Sequence, residues 1–206
     1  MTGITGLRYL PGYLDPQAQQ QLLDVIRAAV SEAPFYTPTM PRSGKPLSVR
    51  MTNLGPLGWV SDIKGYRYQP FHPETGKPWP AMPDVLLQIW SDVAQHGSPP
   101  EACLVNHYTA GTRMGLHQDR DEAALDAPVV SLSLGDMGIF RIGGKARKDK
   151  TSSMKLSSGD VLVMGGDARM RFHGIDRIIA NSSSLLGNSG GRINLTMRRV
   201  TVPEMI

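Results

Sequence analysis

The chain has 206 residues, 40% of them hydrophobic and 19% charged, which suits one sizeable core and excludes a disordered polymer. Its formal net charge of +4 and pI near 9.3 are compatible with a nucleic-acid partner. A single cysteine, Cys103, excludes an intrachain disulfide; with no signal-peptide-like run in Met1–Leu14 and no span-length apolar segment, a cytoplasmic protein with no membrane partner is expected.

Asp15-Pro16 reads as an N-cap followed by proline at the first helical position. Leu22, Leu23, Ile26, Ala29 and Val30 then recur at helical spacing, which predicts an amphipathic helix over 16–31. A Pro-rich stretch runs from Pro34 to Pro46, and Leu47–Pro83 is read as loop and short strand. A second helix is predicted from Pro83 to about Gln95, with Leu86, Ile89, Trp90 and Val93 on one face and Gly97 ending it. Beyond Ala102 the pattern changes to short strands at 103–108, 129–134, 138–142, 161–164 and 192–200, with a turn at Ser157-Ser158-Gly159-Asp160. Strands at this spacing after two helices predict a mostly β fold with flanking helices (α+β), a sandwich or jelly roll. The organisation expected is one compact domain: an N-terminal helical extension (1–46), a lid with its supporting helix (47–90) and a β core (91–206). Residues 180–191, rich in Ser, Asn and Gly, are expected to form a mobile loop.

His117-Gln118-Asp119 carries the first chemical signal. In an extended segment residues i and i+2 project to one side, so an imidazole and a carboxylate can meet one metal ion. Two histidines and one carboxylate leave positions open for substrate and oxygen, the arrangement of non-haem iron(II) oxygenases, and His173 is the best candidate for the third ligand. His72, His96 and His107 are read as surface or packing residues. The second signal is the alternating run Arg192–Arg198, with Ile193, Leu195 and Met197 on one face and Arg192, Asn194, Thr196 and Arg198 on the other. An edge strand with a wet polar face would account for it. Two arginines reaching inward to bracket a small dicarboxylate such as 2-oxoglutarate would account for it too, because a guanidinium pairs bidentately with a carboxylate. Basic residues form two groups, Lys145, Arg147, Lys148, Lys150 and Arg169, Arg171, Arg177, either solvated loops or a grip on phosphates.

Taken in order, Asn106-His107-Tyr108, Gly111, His117-Gln118-Asp119-Arg120-Asp121-Glu122, Val130–Gly135, Phe172-His173-Gly174 and Arg192-x-Asn194-x-Thr196-x-Arg198 resemble the AlkB family of nucleic-acid demethylases over nearly the whole chain. The resemblance implies a double-stranded β-helix core holding Fe(II) through His117, Asp119 and His173. It implies 2-oxoglutarate held by Asn106, Tyr108, Arg192, Asn194 and Arg198, with Leu104 and Ser131 lining that pocket. The implied reaction is direct-reversal repair of 1-methyladenine- and 3-methylcytosine-type lesions in DNA, with RNA as a second polymer. O2 and 2-oxoglutarate are converted to succinate and CO2, and the oxidised methyl group leaves as formaldehyde. The segment from Met51 through Gly58-Trp59 to Gly65-Tyr66-x-Tyr68 is similar to the family's nucleotide-recognition lid, with Trp59 stacking on the base and Tyr66 and Tyr68 touching base or backbone. Asp121 would balance the charge of a cationic base, and Arg147 would contact substrate. Met164 departs from the family pattern, standing where a tryptophan is expected beside the iron. Two other readings stay open: an iron/2-oxoglutarate hydroxylase of a protein or small molecule, and a non-catalytic base-binding module. A monomer is expected.

Overall fold

The computed structural model describes residues 3–202. Twelve strands and two α-helices follow in the order β1 (Leu7–Leu10), α1 (Pro16–Glu32), β2 (Arg50–Leu54), β3 (Gly58–Asp62), β4 (Gly65–Gln69), α2 (Asp84–Val93), β5 (Ala102–Tyr108), β6 (Met114–His117), β7 (Val129–Gly135), β8 (Met137–Ile142), β9 (Ser152–Leu156), β10 (Val161–Met164), β11 (His173–Ile179) and β12 (Arg192–Arg198). They build a six-stranded sheet, β1-β10-β7-β12-β5-β2, a four-stranded sheet, β6-β11-β8-β9, and a two-stranded ribbon, β3-β4. This is the expected jelly-roll architecture.

Strand alternation divides the core. Cys103 and Val105 of β5, Val130, Leu132 and Leu134 of β7, Val161 and Val163 of β10, and Ile193, Leu195 and Met197 of β12 face the helices, where they meet Leu22, Leu23 and Ile26 of α1 and Leu86, Ile89, Trp90 and Val93 of α2. The intervening residues Leu104, Tyr108, Val129, Leu162 and Met164 turn the other way, toward Phe140, Ile142, Leu156 and Ile175 of the smaller sheet. One face of the large sheet is therefore sealed by helices, and the other encloses the space between the sheets.

Helix α1 begins as its sequence dictates: the Asp15 side chain accepts from the Ala18 N–H at 2.8 Å, and Pro16 follows. Helix α2 stops two residues before the predicted end, and Gln95 (φ 55°) rather than Gly97 supplies the left-handed turn. Three expectations change. The N-terminal segment is more than a helical extension, because β1 pairs with β10 at the edge of the large sheet. Within 47–90, β2 pairs with β5 inside that sheet, so only the β3-β4 ribbon and its flanks stand apart as a lid. Loop 180–191 is pegged down rather than free: the buried Asp136 accepts from the N–H groups of Ser182 (2.9 Å), Ser183 (3.1 Å) and Gly191 (2.9 Å), and Leu186 packs on the core.

Candidate active site

Strand β12 lies at the centre of the large sheet, between β5 and β7, and is buried along its whole length, which removes the edge-strand reading. Its register sets the site. Arg192 lies opposite Tyr108 and Gly135, Asn194 opposite Asn106 and Ser133, and Thr196 opposite Leu104 and Ser131. Residues directly opposite share a face, so three sequence patterns far apart in the chain become one polar floor between the sheets. The smaller sheet supplies the opposite wall. There His173, the first residue of β11, pairs with His117, the last of β6, and Asp119 follows just after that strand ends.

The Nε2 atom of His117 lies 3.7 Å from Asp119 Oδ1, and that of His173 lies 3.6 Å from Asp119 Oδ2. One ligand atom from each of the three residues falls within 4.8 Å of the others. The Nδ1 atoms are 2.9 Å from the Gly115 carbonyl (His117) and 3.0 Å from the Arg171 carbonyl (His173). Those carbonyls favour a proton on Nδ1 and leave both Nε2 lone pairs for a metal. Burial, then the neighbouring His117, pushes His173 down to about 4, so it stays neutral, as a ligand must. Burial alone would raise the Asp119 carboxyl, yet Arg198, then His173 and His117, hold it well below the usual carboxylate range.

These residues open on one cleft, with about 520 Å³ of unfilled space counting its mouth, whose polar lining includes His117, Asp119, His173, Asn106, Tyr108, Ser131, Arg192, Asn194 and Arg198, with Leu104 and Met164 among its apolar walls. The donor set fits a metal and a small dianion. Asp119 Oδ2, Asn106 Oδ1, Arg192 Nε and Arg198 Nη1 are buried with no hydrogen-bond partner in the protein, and buried polar atoms ordinarily have one. Arg192 is fully buried, and its guanidinium donates to the carbonyls of Asp136 (3.3 Å) and Leu156 (3.1 Å) and to Ser133 Oγ (2.6 Å), with no carboxylate among these partners. Burial pushes it down to about 10, still charged at neutral pH. A buried cation without its own acid is a site for a carboxylate from elsewhere. Tyr108, pushed up to about 12 by burial, remains a donor. Asn194 is held in place by Nδ2 bonds to Ser131 Oγ (2.8 Å) and the Leu132 carbonyl (3.0 Å), and accepts from Thr196 Oγ1 (2.9 Å).

The substrate-side candidates divide. Trp59 and Tyr66 stack on the ribbon, ring centroids 5.6 Å apart at 19°, with Tyr66 exposed. Trp59 Nε1 donates to Asp121 Oδ2 at 2.8 Å, tying the ribbon to the segment that leaves the metal site. Asp121 itself is exposed and outside the cleft lining, because the chain leaves strand geometry after His117. Tyr68 turns its hydroxyl inward to Glu122. Met51 is buried in the inter-sheet core. Arg147 lies over the Phe172 ring at 5.8 Å, exposed, outside the cleft lining.

One correction follows. Arg169 is no surface cation: it is buried, donating to Glu122, Asp119 and Ala127. For His72 the packing alternative holds: its Nδ1 accepts from the N–H groups of Glu74 and Thr75, and its ring packs between Tyr36 and Trp79. Sequence reasoning missed Phe140, Leu156, Ile175 and Thr196 as cleft lining and Arg169 and Glu122 as buried partners. Two of these left a trace: Thr196 on the polar face of the alternating run Arg192–Arg198, and Glu122 as the last acid of the charged run after His117.

The sequence model of the 2OG-Fe(II) oxygenase superfamily matches residues 6–198. The alpha-ketoglutarate-dependent dioxygenase AlkB homolog of Caulobacter vibrioides is 54% identical over 199 residues, 97% of this chain and 90% of the relative. Alpha-ketoglutarate-dependent dioxygenase AlkB of Escherichia coli is 42% identical over 91% of this chain and 87% of its own length. More distantly, a Schizosaccharomyces pombe protein named tRNA demethylase abh1 is 33% identical over 76% of this chain and 57% of the relative. A DNA N(6)-methyladenine demethylase of Arabidopsis thaliana is 31% identical over 94% and 48%. The solved structure of OsALKBH1 superposes with a TM-score of 0.75 at 33% identity, covering 94% of this chain and 98% of that one.

Proposed function

Because the chain belongs to the AlkB family of the 2OG-Fe(II) oxygenase superfamily, we propose that it oxidatively demethylates alkylated bases of the 1-methyladenine and 3-methylcytosine type in DNA, and in RNA as a second substrate. The observation that carries this reading is a metal-ligating triad and a buried arginine with no carboxylate among its partners on the walls of one cleft, beside a ribbon presenting stacked aromatics.

In this reading His117, Asp119 and His173 would hold Fe(II), two histidines and one carboxylate being the ligand set of non-haem iron(II) oxygenases. Arg192 with Tyr108 and Asn106, and Arg198 with Asn194, cradle the two carboxylates of 2-oxoglutarate, while Leu104, Ser131 and Met164 exclude water around its carbon chain. When bound, Fe(II) with 2-oxoglutarate and O2 supplies the oxidising power that hydroxylates the methyl carbon, yielding succinate, CO2 and, after the hydroxymethyl group is lost, formaldehyde. The chain's own share is orientation. The Gly115 and Arg171 carbonyls fix both imidazoles, and Arg198 fixes the Asp119 carboxylate at 3.0 Å. The ribbon offers Trp59 and Tyr66 as a stacking surface for an extruded base, worth ~1–3 kcal/mol. Asp121, on the indole of Trp59, places negative charge where a methylated, cationic base would lie. Lys145, Arg147 and Lys148, all exposed, would bind flanking phosphates. Met51, buried, acts by supporting the ribbon's flank rather than by touching a base.

Among the described residues no helix is long and apolar enough to cross a membrane. A cytoplasmic monomer is the form we propose; the free Cys103, buried with its thiol pushed up to about 12 by burial, is consistent with a reducing compartment.

The test is anaerobic reconstitution with Fe(II) and 2-oxoglutarate, followed by O2 and an oligonucleotide bearing 1-methyladenine or 3-methylcytosine, with His173→Ala alongside. Mass-spectrometric loss of the methyl group with the wild type alone is the expected result. Succinate formed without demethylation would point to a protein or small-molecule substrate. Neither product from iron-loaded protein would leave a binding module.

A further inference from the structure

A buried ring of charge surrounds the metal carboxylate. Arg169 donates from Nη2 to Glu122 Oε2 at 3.0 Å and from Nη1 to the Asp119 carbonyl. Arg198 Nη2 donates to Asp119 Oδ1 at 3.0 Å, and its Nε lies 3.3 Å from Glu122 Oε1. Arg169, Glu122, Arg198 and Asp119 thus form a buried circuit of two cations and two anions, closed between Arg169 and Asp119 through a backbone carbonyl. Arg169 is anchored a third time, by Nε on the Ala127 carbonyl at 2.9 Å, so it serves as the fixed corner. The free corner is Glu122 Oε1, which also accepts from the Tyr68 hydroxyl.

Tyr68 belongs to β4, and β4 pairs only with β3. Among the described residues the ribbon joins neither of the two larger sheets, and Tyr68 lies opposite Trp59 in its register. A displacement of the ribbon when a base stacks on Trp59 acts on the Tyr68–Glu122 bond. Glu122 passes it to Arg198, which holds the metal carboxylate with Nη2 and lines the cosubstrate cleft with an unpartnered Nη1. The Glu122–Arg198 link is an ion pair at 3.3 Å without hydrogen-bond geometry, and attraction between charges in a low-dielectric site is strong enough for a shift of the carboxylate to act on its cation.

Resting on the nucleic-acid reading above, we infer that Glu122 is a positioning residue which ties Tyr68 of the ribbon to Arg198 and Asp119, so that seating of a methylated oligonucleotide and binding of 2-oxoglutarate are thermodynamically linked. Linkage is reciprocal: each ligand changes the affinity of the other by the same factor. A ring with only structural duty would stabilise the fold and leave the two affinities independent.

The experiment measures 2-oxoglutarate binding to the full chain by calorimetry under anaerobic conditions with Mn(II) in the metal site. It is done with and without a saturating oligonucleotide bearing 1-methyladenine, whose own binding is followed by fluorescence anisotropy. In the wild type the oligonucleotide changes the 2-oxoglutarate Kd by about fivefold or more, the lower range of such couplings. In Tyr68→Phe, which keeps the ring and loses only the hydroxyl, the ratio falls to about one. Glu122→Gln gives the same loss, and the double variant loses no more than either single one, as expected of one shared path. With Fe(II) in place of Mn(II), addition of oligonucleotide shifts the visible absorption of the iron–2-oxoglutarate complex in the wild type and not in Tyr68→Phe. An oligonucleotide that binds tightly while leaving the wild-type Kd and spectrum unchanged overturns the inference and leaves the proposed function standing. A coupling that persists in Tyr68→Phe overturns it as well. An oligonucleotide that does not bind overturns both.

Discussion

Gly174 follows the ligand His173, and β6 passes it closely. A Cβ there would stand 2.5 Å from the Met114 carbonyl oxygen and 2.8 Å from that of Gly115. Ordinary contact begins at 3.4 Å, so Gly174→Ala must drive β6 away from β11 by roughly 0.9 Å. Strand β6 is the edge of its sheet and pairs with β11 alone, so it can yield outward without opening the core. The overpacking should cost about 1–3 kcal/mol and leave the protein folded. His117 is carried on the end of that strand, directly opposite His173. Metal–ligand distances tolerate about ±0.2 Å, and a displacement several times larger takes one imidazole out of range. Calorimetric binding of Mn(II) or anaerobic Fe(II) should therefore weaken about tenfold or more, the scale on which disturbing ligand orientation acts, while far-UV circular dichroism stays native. Wild-type metal affinity in a folded Gly174→Ala protein would refute the claim that this glycine exists to let the two ligand strands approach.

Asp136→Ala removes the acceptor of three backbone N–H groups from loop 180–191; because the serines can rehydrate, the net loss should be about 2–4 kcal/mol by urea unfolding. An unchanged midpoint would mean the loop holds itself. Glu101 accepts from the N–H groups of Val200 and Thr201 and from the Thr201 hydroxyl, at 2.7–2.9 Å. Burial alone would raise its carboxyl, but these bonds and Arg199 hold it below 4.5. Its stabilisation is thus complete above the unfolded value and lost as pH falls through the lower folded one. Glu101→Gln should be about 1–2 kcal/mol less stable than wild type at pH 7, and the gap should close as pH falls through the lowered folded value; a gap independent of pH contradicts the assignment. Replacing Lys145, Arg147 and Lys148 with neutral residues should weaken oligonucleotide binding sharply and flatten its salt dependence, with 2-oxoglutarate binding unchanged. Equal salt slopes in variant and wild type would place the phosphate contacts elsewhere.

The sequence by itself determined the elements whose signals are local. Asp15-Pro16 and the apolar spacing of 16–31 announced α1, and the alternation of Arg192–Arg198 announced a two-faced strand, because capping and periodicity are properties of neighbouring residues. It also named the histidines and carboxylate of the triad, through spacing and resemblance. Tertiary structure alone decided what those residues face. Alternation cannot distinguish a wet edge from a buried polar floor; pairing of β12 on both sides with β5 and β7 does. Charge runs cannot tell a phosphate grip from a buried tie, and so Arg169, grouped with surface cations by sequence, proved to be the fixed corner of the ring around Asp119. Loop 180–191 looked free because its serines and glycines carry no local order; the carboxylate that holds it, Asp136, lies about 50 residues away in the chain. In each case the deciding partner is distant in sequence, and only folding brings it near enough to act.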